Sequence, residues 1–491
     1  GSAYTYAYAS FGELFAWIIG WALIMEYSIG NIYVAFSWSD YFTSFLEKLN
    51  IHVPDYLSCS YKEAQKAVLE GSSNKELLNA WASAPMLGSL RIIFDLPAII
   101  INLLITYLVY RGIKESRNFS NVMVILKLAI VGLVVLVGGY LVFSNGLTFN
   151  WTPANDEGVR SFMPNGFGGV MMAVSGVFFA YIGFDAVSVL AEESKNPQRD
   201  LPRGMILSLV ICTIVYILLT LVLTGAVNYK NFDGVGDPLA FIFEEQNLNI
   251  GWMQLLVSIC AVVAMTSVLL VFQMGQPRIW MSMSRDGLMP PVFQKIHQRF
   301  KTPSFATIVT GLVVGVPILF TDKTFVLDFT SIATLFAFVL VCGGVLLIPK
   351  KEKVPGRFSL PYINGQFIFP LIIALAFTLF ATLDKNYISN LFNFDFSGNE
   401  DYASGKASFM DVATPQISLI AFWIACIILS LLTVVKKYSL IPLMGVTTCL
   451  YLLTGMTKSN WVWFLSWLLL GIVLYFLYGY KKSKLANPAT T

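Results

Sequence analysis

Four places in this sequence put polar or helix-breaking residues inside runs that are otherwise apolar. The run Ser175-Gly176-Val177-Phe178-Phe179-Ala180-Tyr181-Ile182-Gly183-Phe184-Asp185 carries two glycines and a carboxylate in the middle of a hydrophobic stretch. Glycine costs a helix interior roughly 1 kcal/mol relative to alanine, and a carboxylate at membrane depth costs more. A helix broken there would free backbone N–H and C=O groups and expose a half-helix dipole end, an arrangement able to hold a small charged solute. A close-packed helix pair needs small residues as well, and spacing alone leaves both readings open. Glu26, in Trp21-Ala22-Leu23-Ile24-Met25-Glu26-Tyr27, lies about fifteen residues into its run, or roughly 22 Å along a helix. That is too deep for a short side chain to reach either interface, so it must face a cavity or a partner. Lys127, in Val124-Ile125-Leu126-Lys127-Leu128-Ala129, sits roughly 12 Å from the end of its run. Its stem can snorkel part of that way, but a desolvated lysine could instead release and rebind a proton. The fourth place is a pair of turns, Glu192 to Pro202 and Met283 to Pro290, where proline and glycine end one helix and start another. Ordinary turn chemistry accounts for each. Asp328, near an outer end, takes the same ordinary reading, and Glu13, near the inner end of its run, reads as meeting headgroup or water.

The elements that carry these residues follow from composition. The chain has 491 residues, 56% hydrophobic and 12% charged, with a mean hydropathy of +0.68. A soluble protein carries roughly 25% charged residues. Half that supply cannot cover a water-facing surface, so a soluble enzyme, a nucleic-acid binder and a disordered scaffold are excluded. The chain reads as an all-α polytopic membrane protein. Crossing about 30 Å of hydrocarbon takes roughly 20 apolar residues of helix. Twelve spans are expected, at 11–39, 95–113, 119–143, 167–190, 203–227, 250–280, 304–321, 325–349, 367–384, 416–435, 438–456 and 461–480. The runs are continuous and do not alternate, which excludes a porin-like barrel.

Orientation follows the Lys and Arg residues. Alternate connections hold nineteen of them: Arg111, Lys114 and Arg117; Lys195, Arg199 and Arg203; Arg285, Lys295, Arg299 and Lys301; Lys350, Lys351, Lys353 and Arg357; Lys436 and Lys437; and Lys481, Lys482 and Lys484. The other connections hold eleven, diluted over longer loops rich in Asp and Glu. The first set is expected on the cytoplasmic side, with both ends of this chain inside. Segments 40–94 and 385–415 are then the long outer loops, and Tyr61 to Ala84 reads as a mixed-charge helical stretch lying over the outer face. Asn150-Trp151-Thr152 makes an outward sequon of a kind common by chance. The six cysteines show no CxxC or Cys/His grouping, and His52 and His297 are the two histidines. Neither a disulfide framework nor a zinc site has support, and no cofactor is expected.

Taken together, several segments resemble the cationic amino acid transporter branch of the amino acid–polyamine–organocation superfamily. They are Gly1 to Tyr8, Gly12-Glu13-Leu14 with Trp21 and Glu26-Tyr27, Arg111 to Ser116, and Phe179 to Asp185. Glu192-Glu193 with Asn196-Pro197-Gln198 and Pro202, Met283 to Gly287, and Phe358 to Pro361 continue the series in family order. The resemblance implies the leucine-transporter fold, in which two inverted five-helix repeats surround a central site and helices one and six are unwound. It makes span 167–190 helix six, with Phe178, Phe179, Ala180, Tyr181, Ile182 and Gly183 contacting the substrate's amino end and gating the site. Lys127 matches a fifth-helix lysine that takes the place of a sodium ion in proton-coupled members, so the proton is the implied coupling ion. Glu26 matches a third-helix acid near the side-chain end of the pocket. On this reading 1–143 is the remainder of a first repeat (helices three to five), 144–349 is the second repeat, and 350–491 adds four further spans. The family's first two helices are missing, and the chain reads as an N-terminal truncation.

The implied function is a secondary active amino acid permease of the plasma membrane, proton-coupled and working by alternating access, for cationic or neutral L-amino acids. A channel, or a polyamine or organocation transporter of the same fold, is the alternative. No nucleophile–base constellation or filter-like carbonyl loop speaks for an enzyme or a selective pore. The expected partners are the amino acid and the lipid bilayer, with no nucleic acid.

Overall fold

The computed structural model describes residues 4, 8, 12–69, 71, 74–88, 90–112, 117–154, 158, 160–184, 196–232, 235–347, 361–383, 386–397, 402 and 407–483. A helix overlaps each expected span, although that at 167–190 is α-helical only to Val177. They are α1 (Glu13–Lys48), α4 (Leu96–Tyr110), α5 (Arg117–Ser144), α6 (Gly166–Val177), α7 (Pro197–Ala226), α8 (Gly251–Arg285), α9 (Ser304–Ile318), α10 (Lys323–Leu347), α11 (Ile368–Leu383), α12 (Phe409–Lys436), α13 (Leu440–Leu453) and α14 (Lys458–Leu474). Between α1 and α4 come two amphipathic surface helices, α2 (Tyr61–Leu69) and α3 (Lys75–Ser83). Among the described residues, seven helices are long and apolar enough to cross a membrane, and α4, α9, α11 and α13 are shorter apolar helices. The chain is a multi-pass, all-α membrane protein.

Local chemistry sets the helix ends. Asp95 caps α4, its carboxylate accepting from the Ala98 N–H at 3.0 Å, with a proline in the first turn. Ser408 and Asp411 form a reciprocal capping box on α12, which satisfies two of the amide donors a helix start leaves open. The loop stretch expected as one helix over Tyr61 to Ala84 is two. The chain turns at Gly71 (φ +66°), and Asn74 starts α3 by accepting from the Glu76 and Leu77 N–H groups. A two-residue hairpin, Met86–Leu87 with Leu90–Arg91, closes this loop.

The long helix α1 is the hub. Of its most apolar stretch 83% is buried, against 11% for α5 and 6% for α7, so the core is built around α1. It packs most extensively on α8 and then on α10. Glycines allow the approach: a Cβ at Gly275 of α8 would lie 2.6 Å from the Tyr27 ring, and one at Gly20 would meet Met283 and Tyr4 at 2.9 Å.

Polar side chains cross this apolar core and tie four helices together. Gln276 of α8 donates to the Ser28 hydroxyl at 2.6 Å. Asn31 donates to Gln273, whose own amide donates to Thr106 of α4 at 2.8 Å. Asn102, one turn earlier on α4, reaches the Gly311 carbonyl of α9 at 3.1 Å. Hydrogen bonds between membrane helices add roughly 0.6–2 kcal/mol each. The belt links α1, α4, α8 and α9 into one frame, against which the broken segment after α6 is held.

Candidate functional site

The helix of α6 stops where the sequence placed its helix breakers, though not at the first of them. Gly176 stays helical. After Val177 the chain tightens into a 3-10 turn, Phe178–Tyr181, and Ile182 then adopts an extended conformation (φ −62°, ψ 136°). Gly183 has φ +108°, a backbone region that residues with a Cβ rarely enter. Regular helical hydrogen bonding therefore ends before Ile182–Gly183. Asp185, Glu192, Glu193 and Ile113 to Ser116 lie outside the described residues.

Aromatic rings and hydroxyls fix the interrupted segment. The Phe179 ring meets the Tyr33 ring of α1 with centroids 4.5 Å apart. Phe178 and Phe184 both pack edge-on or tilted against Phe338 of α10, at 6.3 and 5.4 Å. From α7, the Tyr216 hydroxyl donates to the Ala180 carbonyl at 2.6 Å, and the Tyr181 and Thr213 hydroxyls lie 3.1 Å apart. A carbonyl released by the end of the helix thus gains a side-chain donor, which is how discontinuous membrane helices are sustained. Among the described residues, a Cβ built on Gly183 would meet no heavy atom within 4 Å.

Helical geometry relates this segment to Glu26. Residues seven apart share a face and lie about 10 Å apart along the axis. Glu26, Tyr33 and Asp40 therefore form one stripe on α1. Glu26 is buried, 1% exposed, one stripe position from the ring that touches Phe179. At the far end of the stripe, both carboxylate oxygens of Asp40 accept from the Lys323 ammonium at 2.5 Å. The Lys323 backbone N–H donates to Glu63 at 3.2 Å, so α2 is pinned over the start of α10. Ser60 and Glu63 form a capping box at the start of α2. Nearby, Asp237 is pushed up to about 7, chiefly by burial; the Ser44 hydroxyl opposes the shift, and the Asp40 and Glu244 charges add to it.

Lys127 is half-buried on α5, two turns before Val134, which packs in the cluster joining α5, α7 and α8. The ring contacts that gather Phe178, Phe179 and Phe184 do not include it. At the opposite end of α1, the Tyr4 hydroxyl donates to Asp286 at 2.6 Å. The Met283 to Gly287 turn closes with Gly287 at φ +82° and the Leu288 N–H on the Met283 carbonyl. The Asn150 side chain of the sequon donates to the Gly225 carbonyl at 2.8 Å, a structural use of that amide. Among the described residues no group of His, Cys, Asp or Glu could hold a metal ion, and the six cysteines are unpaired thiols.

Sequence reasoning missed Tyr33, Phe338, Tyr216 and the Asp40–Lys323 pair. The seven-residue spacing of Glu26, Tyr33 and Asp40 was a usable signal for the stripe. Nothing local could have named the partners on α7 and α10.

Residues 1–394 match the Amino acid permease family, and residues 438–483 match the C-terminus of AA_permease. The chain is similar to the Branched-chain amino acid permease BcaP of Bacillus subtilis (strain 168), 39% identical over 79% of this chain and 75% of the relative. It is similar to the Methylthioribose transporter of the same organism, 39% identical over 76% and 72%. The Cationic amino acid transporter 2, vacuolar, of Arabidopsis thaliana is 28% identical over 99% of this chain and 80% of the relative. A family match over residues 1–394 and relatives of this identity and coverage lead to one assignment: the chain belongs to the amino acid permease family, whose members are transporters and not enzymes.

Proposed function

We propose that the protein is a proton-coupled secondary transporter of amino acids, working by alternating access. The observation that carries the reading is the helix end at Ile182–Gly183, where Tyr33 meets Phe179 and Phe338 meets Phe184, with no described atom within 4 Å of a Cβ at Gly183. Backbone groups of Phe178 to Gly183 would grip the substrate's amino end, with Glu26 toward its side chain. Phe179 on Tyr33 would close the pocket, with the Asp40–Lys323 pair locking that side above it. Lys127 would carry the coupling proton. Protonation and substrate binding would bias the same equilibrium, so each favours the other. On this reading the helices make twelve crossings, α6 to α10 form the second inverted repeat, α1, α4 and α5 belong to the first, and α11 to α14 are additional. The protein sits in the cell membrane with the Lys- and Arg-rich connections and both ends of this chain in the cytoplasm.

The substrate class is cationic or neutral L-amino acids. A buried acid at position 26 favours a cationic side chain, while the identity to a branched-chain permease favours a neutral one. Uptake of labelled leucine and arginine by liposomes carrying the full-length protein tests the proposal. Saturable uptake driven by an imposed pH gradient, lost in Lys127→Ala, is expected. Unchanged gradient-driven uptake in that variant would remove the coupling role, and non-saturating current driven by voltage would point to a channel. Uptake of methylthioribose in place of either amino acid would overturn the substrate class.

A further inference from the structure

A cavity of about 990 Å³ lies apart from the interrupted helix, between α1, α9, α10 and α14. Met25, Ile29 and Ile32 face it from α1, roughly a quarter turn around the helix from the Glu26–Tyr33–Asp40 stripe. Val313, Phe329 and Trp467 complete its apolar wall. Its length along α1 and along α14, from Trp463 to Leu470, is about 10 Å on each helix. At its loop end stand two cations, Lys62 from the first turn of α2 and Arg91 from the hairpin, and no carboxylate lines it among the described residues. Both cations are held in place. The Lys62 ammonium lies 5.6 Å from the Phe325 ring centroid, and the Arg91 guanidinium stacks 5.0 Å from Trp81 and donates to its carbonyl at 2.6 Å.

The shape and the charges select an occupant. A free amino acid would fill only a small part of about 990 Å³, a volume at the upper end of pockets that bury drug-sized ligands. Trp463, Leu470, Val316 and Phe320, which line the cavity, are exposed apolar side chains on α14 and at the end of α9, so the cavity is open on a hydrophobic side of this membrane protein and is accessible to lipid. Two fixed cations above an apolar slot match an anionic headgroup above acyl chains. We propose that this cavity is a binding site for an anionic phospholipid, with its tail between α1, α9, α10 and α14 and its phosphate on Lys62 and Arg91.

Native mass spectrometry of the full-length protein tests this after equilibration in phosphatidylcholine vesicles with and without phosphatidylglycerol. The wild type should retain a phosphatidylglycerol in preference to phosphatidylcholine. Lys62→Gln, which leaves the Arg91–Trp81 contact intact, should weaken retention severalfold, and Lys62→Gln with Arg91→Gln by roughly tenfold or more. Val313→Trp, which fills the slot and keeps both charges, should lose it as well. Equal retention in wild type and the charge variants, or no preference between the two lipids, would overturn the site.

Discussion

The strain at Gly183 gives the sharpest perturbation. Its φ of +108° is accessible to glycine, yet a Cβ placed there meets no described residue within 4 Å. Gly183→Ala therefore adds no clash with the described residues, and the cost set by its φ is conformational. Holding a residue with a Cβ in so sparsely populated a region costs about 1–3 kcal/mol. If the interrupted conformer is the one that binds, that strain lowers apparent affinity by about 5- to 150-fold. Gly176→Ala is the matched control. Gly176 lies inside α6, its Cβ would also meet nothing within 4 Å, and alanine favours a helix by roughly 1 kcal/mol. Equilibrium binding of labelled leucine and arginine to purified full-length protein should show a loss for Gly183→Ala and little change for Gly176→Ala. Gly183→Leu should abolish binding by filling the space beside the segment. Matching affinities in all three variants would refute the link between the broken helix and the substrate.

Three further outcomes follow from the surrounding structure. Gln273→Leu deprives Asn31 and Thr106 of their partner and should cost about 1–3 kcal/mol, read as a lower thermal midpoint; adding Asn31→Leu should recover part of the loss, because removing both partners is nearly neutral. Asp40→Asn weakens the lock on Lys323 and should speed maleimide labelling of a Ser37→Cys reporter in a cysteine-free background, Ser37 lying between Tyr33 and Asp40 on α1; an unchanged rate would show that the pair does not control access. Asp237 holds its proton more tightly folded than unfolded, with a folded value of about 7. Its contribution to stability is therefore complete below about pH 4 and is lost as pH rises through 7, so the midpoint should fall between pH 5 and pH 8, and fall less in Asp237→Asn.

Much of the frame was legible from hydropathy, because each membrane helix must be a continuous apolar run. The break was legible as a region, since glycine and aspartate are out of place in such a run. Its position was not. Gly176 and Gly183 are alike as letters, but Gly176 stays helical while Gly183 takes the positive φ that follows the Phe178–Tyr181 turn. The two-helix form of the 40–94 loop could have been read from Asn74 and from the Ser60–Glu63 capping box, both local signals. The belt through Asn31, Gln273, Thr106 and Asn102 could not, because its members lie as far as 242 positions apart in the chain. The same holds for Tyr33 on Phe179 and Asp40 on Lys323. The burial of Glu26 was legible from its place deep in an apolar run, and the seven-residue stripe that joins it to Tyr33 is simple helix arithmetic.

Amide hydrogen exchange across residues 169–184 of the full-length protein, with and without substrate, tests the central claim most directly. Without substrate, amides of Ile182 to Phe184 should exchange much faster than those of Gly169 to Val177; saturating leucine or arginine should slow them selectively. Uniform slow exchange across the whole segment in the absence of substrate, or no response when it is added, would contradict the account.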